Sequence, residues 1–151
     1  MNNKGMTLVE LLAVIAIIAI LAVVVTPAVI SIRESLLKST LESKIKNINS
    51  AALDYAEEHI NEIPSDIGSD VVDENNIDYD SKSHCLIRYV RVLISEGYIA
   101  GDSEEKTSIE NPLTGESLND KEICIRFNNN DAMNRKVITY IIGEDDLLKW
   151  N

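Results

Sequence analysis

The stretch MTLVELLAVIAIIAILAVVVTPAVI, from Met6 to Ile30, decides the fold of this chain. Four residues interrupt its apolar character: Thr7, Glu10, Thr26 and Pro27. As a helix with a rise of 1.5 Å per residue, its 25 residues would be about 37 Å long. The hydrocarbon core of a bilayer is about 30 Å thick, so the sequence predicts a transmembrane helix over residues 6–30.

The rest of the chain has the composition of an acidic, soluble-looking domain. The 151 residues, with a net charge of −11, are enough for about one domain. The first 30 carry only Lys4 and Glu10 as charges, so the following 121 bear the whole −11. A nucleic-acid binder needs a basic surface, and we therefore expect no direct nucleic-acid contact. Six glycines and no nucleotide-binding glycine motif also argue against large α/β enzyme folds.

Three interpretations of the apolar segment compete: a cleaved secretory signal, a permanent membrane anchor, and a helix that first lies in the membrane and later packs against copies of itself. Thr26-Pro27-Ala28 is a poor signal-peptidase site because of its proline. Glu10 distinguishes the permanent anchor from the helix that later packs against its own copies. An acidic residue in an apolar helix needs a partner, and a plain anchor offers none. A cut after Gly5 would place the new amine of Met6 one helical turn from that carboxylate.

The segment KGMTLVELL at residues 4–12, followed by the apolar run and Pro27, resembles the prepilin N-terminus of type IV pilins and of the pseudopilins of secretion and competence systems. The resemblance implies that a prepilin peptidase cleaves between Gly5 and Met6 and methylates the Met6 amine. It also implies that Glu10 engages the N-terminus of a neighbouring subunit during assembly. Met6 departs from the phenylalanine usual at that position.

Pro27 is expected to kink the helix, because proline removes the backbone hydrogen bond to the Val23 carbonyl.

Beyond Ile30 the pattern becomes amphipathic, with one stripe at helical spacing: Leu37, Leu41, Ile45, Ile48, Ala52 and Tyr55. The helix should continue to about His59 and stop before Ile63-Pro64. Its stripe needs a partner, for which a small antiparallel sheet is the economical candidate.

The predicted fold is therefore α+β: a long N-terminal helix, half transmembrane and half amphipathic, packed on a small antiparallel sheet. We assign residues 1–5 to a leader, 6–30 to the transmembrane and assembly helix, 31–60 to its amphipathic continuation, and 61–151 to a pilin-like globular domain together with the helix C-terminal half.

Within that domain, residues 65–81 contain six acids and no base and are predicted to form a surface loop. Asp78 and Asp80 could ligate calcium, but no EF-hand spacing is present. Residues 86–94 favour a short helix closed by Gly97, with Tyr98 against Leu93, although their β-branched residues also fit a strand.

The last part of the chain is predicted to form a hairpin. Residues 111–115, NPLTG, are typical of a turn. Residues 122–127 and 136–142 alternate as strands, with a polar connection at 128–131 between them. Residues 143–151 could add a short edge or a cap.

Cys85 and Cys124 are the only cysteines. Both fall in the part predicted to lie outside the membrane, where thiols tend to oxidise, so a disulfide is the favoured pairing. The alternative is two free buried thiols.

No enzyme, cofactor or metal site is expected. His84 and Cys85 are adjacent, which usually points their side chains apart, and the two histidines and two cysteines lack zinc-ligand spacing.

The favoured function is a structural subunit of a pilus or pseudopilus. Its implied partners are other copies of itself, other pilins, the prepilin peptidase, an inner-membrane assembly platform with its assembly ATPase, and the cytoplasmic membrane. The precursor would span that membrane once with its globular domain outside the cytoplasm, and then join a surface filament. The alternative is a membrane-anchored extracytoplasmic binding module that does not assemble.

Overall fold

The computed structural model describes residues 7–65, 82, 84–128 and 136–147, and of residues 22–28 it describes the backbone alone. The predicted leader, most of the predicted acidic loop with Asp78 and Asp80, most of the polar connection before the last strand, and residues 148–151 lie outside the described residues.

Three helices, three strands and one short 3-10 helix make up the described chain. In chain order they are α1 (Leu8–Glu58), the 3-10 helix (Ile60–Glu62), β1 (Leu86–Tyr89), α2 (Val90–Ser95), β2 (Glu122–Phe127), β3 (Val137–Ile141) and α3 (Glu144–Leu147). The predicted α+β class, with a long N-terminal helix packed on a small antiparallel sheet, is confirmed.

The chain divides into two compact units, Met1–Leu37 and Lys38–Asn151, and α1 begins in the first and ends in the second. In the second unit the predicted helical stripe is buried: Leu41, Ile45, Ile48, Ala52 and Tyr55 are each at most 3% exposed. The preceding stripe residue, Leu37, is half-buried. Spacings of three and four residues place these side chains on one face, which is why that face forms half of the core.

The sheet supplies the other half of the core. Its order is β1-β2-β3 with both pairs antiparallel. Ile123, Ile125 and Phe127 alternate along β2 and belong to the same buried cluster as the α1 stripe. The strand predicted over residues 122–127 therefore has the observed bounds, and its apolar face packs against α1. The strand predicted over residues 136–142 is observed as β3, which is one residue shorter at each end.

Residues 86–95 form a strand followed by a helix, so the prediction of a helix over the whole of residues 86–94 was wrong. Leu86–Tyr89 pair with β2, and α2 begins at Val90, whose amide donates to the Lys121 carbonyl. The predicted helix end is confirmed. Gly97 has φ +86°, and the Tyr98 amide donates to the Leu93 carbonyl at 2.9 Å, as in a Schellman motif.

The segment that precedes β2 is tied to α1 through Lys44. Its ammonium donates to the Glu110 carbonyl at 2.6 Å and forms an ion pair with the Asp102 carboxylate. Asp102 also accepts a hydrogen bond from the Glu110 amide at 3.0 Å. Burial raises the pKa of Asp102, but the hydrogen bonds from Lys44 and Glu110 outweigh it, so the net pKa lies below its ordinary value.

Aromatic and charged side chains fix the C-terminal end of α1. The Tyr55 ring stacks on His59 and meets the edge of Tyr98, and its hydroxyl accepts a 2.7 Å hydrogen bond from Arg88. The Tyr98 hydroxyl donates to Glu58 at 2.7 Å. This hydrogen bond is the largest cause, with burial and the nearby carboxylate charges, that raises the pKa of Tyr98 to about 12. These contacts join α1 to β1 and to the chain after α2.

Two predicted features of the C-terminal half are helical or turn segments in the structure. The predicted turn at residues 111–115 is present, with the Gly115 amide donating to the Asn111 carbonyl at 2.8 Å. After β3, Gly143 has φ +73° and leads into α3, so the short edge or cap expected over residues 143–151 begins as a helical turn.

Candidate processing and assembly site

Thr7 and Glu10 form a reciprocal cap at the start of α1. The helix begins at Leu8, which makes Thr7 the N-cap residue and Glu10 the third residue of the first turn. The Thr7 hydroxyl oxygen accepts a hydrogen bond from the Glu10 amide at 3.3 Å. The Glu10 carboxylate accepts one from the Thr7 amide at 2.9 Å. This is the capping box, which satisfies amides that have no partner inside the helix.

A third hydrogen bond fixes the orientation of the Glu10 carboxylate. The Thr7 hydroxyl donates to Glu10 Oε2 at 2.9 Å, so both bonds from Thr7 end on the same oxygen. Among the residues that the structure describes, Oε1 makes no hydrogen bond, and the Glu10 side chain is exposed. The positive end of the helix dipole favours a negative charge in this first turn. The arrangement holds one carboxylate oxygen in place and leaves the other accessible to a donor.

Glu10 was predicted from the sequence as a site residue, whereas Thr7 was not. The signal was present, because a threonine followed three residues later by a glutamate before an apolar run is the sequence pattern of a capping box. Gly5 and Met6 lie outside the described residues, so their predicted roles stay predictions. Pro27 lies within α1, its side chain is not described, and the kink stays a prediction.

The first unit exposes apolar side chains on all sides of α1. Every side chain that the structure describes from Thr7 to Leu36 is exposed in the isolated chain, and for instance Leu8 is 75% and Ile20 67% exposed. A helix that is apolar all round is stable where its surroundings are apolar as well. Within the described residues, no helix is both long enough and apolar enough to cross a membrane.

Comparison with known proteins identifies the N-terminal segment. A family model described as the prokaryotic N-terminal methylation motif matches residues 1–26. The chain carries the class III signal peptide of type IV pilins and pseudopilins. This match includes Gly5, Met6, Thr7 and Glu10. No curated protein and no solved structure matches the chain.

In the globular part, Cys85 and Cys124 are joined by a disulfide with a Cα–Cα distance of 5.1 Å. It links the residue before β1 to the middle of β2, and the Cys85 sulfur lies 3.9 Å from the Tyr140 hydroxyl. Both cysteines are thereby bonded, so neither is a free nucleophile. No group of three metal-ligating side chains occurs in the part of the chain that the structure describes.

Proposed function

We propose that the chain is the precursor of a structural subunit of a type IV pilus or of a secretion or competence pseudopilus. A prepilin peptidase cleaves it after Gly5 and methylates the amine of Met6. The observation that carries the proposal is the N-terminal methylation motif over residues 1–26. The precursor spans the cytoplasmic membrane once, and the processed subunit joins a helical filament.

Glu10 is the residue that pairs each subunit with the next. After cleavage the Met6 amine is cationic near neutral pH, and a neighbouring subunit carries the same amine. The open Oε1 of Glu10 can accept a hydrogen bond from that amine while Thr7 keeps hold of Oε2. Because each Glu10 carboxylate pairs with one Met6 amine, this ion pair sets the register between neighbouring subunits. Thr7 is a positioning residue, because it acts by orienting Glu10.

The exposed apolar surface of the first unit supports the same proposal. Side chains such as Leu12, Ile15 and Ile18 are more than half exposed in the isolated chain, and they need an apolar partner. Lipid supplies it before assembly, and equivalent helices of other copies supply it in the filament. Head-to-tail packing of identical subunits that does not close produces a fibre.

The acidic globular part then faces water on the filament. The partners that follow from this function are other copies of the chain, other pilins, the prepilin peptidase, and the inner-membrane assembly platform with its assembly ATPase. The net charge of −11 makes direct contact of this subunit with nucleic acid unfavourable.

The experiment compares Glu10→Ala with Glu34→Ala in a cell that contains the peptidase and the assembly machinery. Glu34 is a matched control, because it is also an exposed glutamate of α1 in the first unit. We expect Glu10→Ala to be processed and to accumulate in the membrane fraction, with filaments reduced at least tenfold in the sheared surface fraction. Glu34→Ala should assemble normally. Normal filaments from Glu10→Ala would overturn the role given to Glu10.

A further inference from the structure

The side chain of Asn49, on α1, has one bonded group and one unbonded group. Its amide nitrogen, Nδ2, donates to Oε2 of Glu144 at the start of α3, and at 3.5 Å this hydrogen bond is long. Its amide oxygen, Oδ1, is buried, and within the described residues no donor reaches it. A buried acceptor that has lost water without gaining a donor is unfavourable. The contact between α1 and α3 therefore satisfies only half of the Asn49 amide.

Glu144 can supply the missing donor, but only in its protonated form. An ionised carboxylate accepts hydrogen bonds and donates none, whereas a carboxylic acid carries one O–H group. A carboxylic acid and a carboxamide are complementary, because the O–H group donates to the amide oxygen while the other acid oxygen accepts from the amide nitrogen. A proton on Glu144 gives Asn49 Oδ1 its donor and keeps the bond from Nδ2.

The surroundings of Glu144 favour the protonated form. Its side chain is half-buried, and this burial is the largest cause of a pKa above the ordinary value. The negative charge of Asp145 raises the pKa as well. The hydrogen bond from Asn49 and the nearby Ile141 amide lower it, and the net direction is upward.

In the part of the chain that the structure describes, no cation is paired with Glu144. Lys46, which precedes Asn49 by three residues on α1, forms no ion pair there. The strand β3 has no charged residue, and the rest of α3 adds only acids. Glu122, whose carbonyl bonds to the residue after β3, has its carboxylate in an ion pair with Lys82. The described chain thus gives Glu144 no opposite charge that would keep it ionised.

We propose that Asn49 and Glu144 form an acid-strengthened contact between α1 and α3. Near neutral pH the contact has one long hydrogen bond. In acid, Glu144 takes up a proton and the contact has two hydrogen bonds, because its O–H group donates to Asn49 Oδ1. Together with Leu147, which packs against the core, the contact holds α3 on the globular part.

The sign of the pH dependence follows from the raised pKa of Glu144. A group that binds its proton more tightly in the folded chain than in the unfolded chain stabilises the fold when it is protonated. This stabilisation is complete below the ordinary pKa of 4.5 and is lost as the pH rises through the folded value. We therefore expect α3 to be held more firmly at pH 4 than at pH 7.

The test measures amide hydrogen exchange in α3, in the full-length chain in detergent micelles at pH 7 and pH 4. Protection factors, which correct for the pH dependence of the exchange chemistry, are compared at Asp146 and Leu147, whose amides bond to the Gly143 carbonyl. We expect about fivefold higher protection at pH 4, the effect of about one hydrogen bond. The carboxyl carbon signal of Glu144 and the side-chain amide signals of Asn49 should titrate with one shared midpoint.

Glu144→Gln supplies the second donor at every pH, because a glutamine amide both donates and accepts. At pH 7 its α3 protection should be about fivefold above that of the native chain, and it should not change in acid. Glu57→Gln is the matched control, since Glu57 is an exposed glutamate of α1, and it should keep the native pH dependence. Asn49→Ala removes the amide partner and should abolish the rise in acid. Near-ultraviolet circular dichroism shows whether each variant is folded.

Equal protection of Asp146 and Leu147 at the two pH values in the native chain would overturn the proposal. A full rise in acid in Asn49→Ala would also overturn it, because the effect would then come from other carboxyl groups. Where Asn49→Ala does not fold, Glu144→Gln decides: protection that is independent of pH supports the contact, and the native pH dependence overturns it.

Discussion

Reduction of the disulfide between Cys85 and Cys124 should destabilise the globular part by a predictable amount. The bond closes a loop across 39 positions of sequence. In the loop-entropy description, a cross-link over about 39 residues removes about 13 cal/mol/K from the unfolded chain, or about 4 kcal/mol at 25 °C. The free energy of unfolding should fall by about that amount when the bond is reduced.

The assay is urea unfolding of the full-length chain in detergent micelles, with and without a thiol reductant. Near-ultraviolet circular dichroism is a suitable signal, since Tyr55 and Tyr140 are at most 3% exposed and lose their fixed surroundings on unfolding. Reduction removes no heavy atom and so creates no cavity, which keeps the loop-entropy contribution separate from a cavity cost.

The double variant Cys85→Ala with Cys124→Ala is the control, and its stability should not respond to the reductant. It should be slightly less stable than the reduced chain, because Cys124 is fully buried and alanine leaves a small cavity. If the oxidised and reduced chains unfold within about 1 kcal/mol of each other, the entropic account of this bond is refuted.

Three further substitutions test other contacts. Thr7→Ala removes the cap of α1 and should make amides in its first turn exchange about fivefold faster, corresponding to about 1 kcal/mol, whereas Thr7→Ser should keep the native rate. Asp102→Asn should lower the free energy of unfolding near pH 7. Because the pKa of Asp102 is lowered in the folded chain, its stabilisation exists above the ordinary value of 3.8 and is lost as the pH falls through the folded value, so urea titrations of the two chains should converge in acid. Gly101→Ala should lower the free energy of unfolding by about 2 kcal/mol in a urea titration, because a Cβ there would lie 2.6 Å from the Lys106 carbonyl. An unchanged midpoint of the urea transition would contradict this close approach.

The amphipathic half of α1 and the strand β2 could be predicted from the sequence because their periodicity is local and regular. Ile45, Ile48 and Ala52 recur at helical spacing, whereas Ile123 and Ile125 alternate, and each pattern fits one element only. The bounds of β2 follow from the same alternation.

The change from β1 to α2 could not be predicted in this way. Residues 86–94 fit both helix and strand, and pairing with β2 settles the first four of them as a strand. The amides of Val90 and Arg91 then bond to carbonyls before β2, contacts that no local pattern encodes. The contacts of Asn119 could not be predicted for the same reason. Its side chain accepts a hydrogen bond from the Ile109 amide and donates one to the Thr107 carbonyl, ten or more residues away.

At the candidate site the sequence indicated which residue carries the charge, but not how it is held. Glu10 is conspicuous as an acid inside an apolar run. The orientation of its carboxylate depends on Thr7, through three hydrogen bonds whose geometry only the folded helix start defines.

The mass of the N-terminal peptide from the mature protein tests the central claim most directly. The protein is purified from the membrane of a cell that contains the prepilin peptidase, and its N-terminal fragment is sequenced by mass spectrometry. Processing predicts a chain that begins at Met6, has lost residues 1–5, and carries one added methyl group on the Met6 amine. An intact N-terminus that retains Gly5 would contradict the proposed function and favour a membrane-anchored binding module.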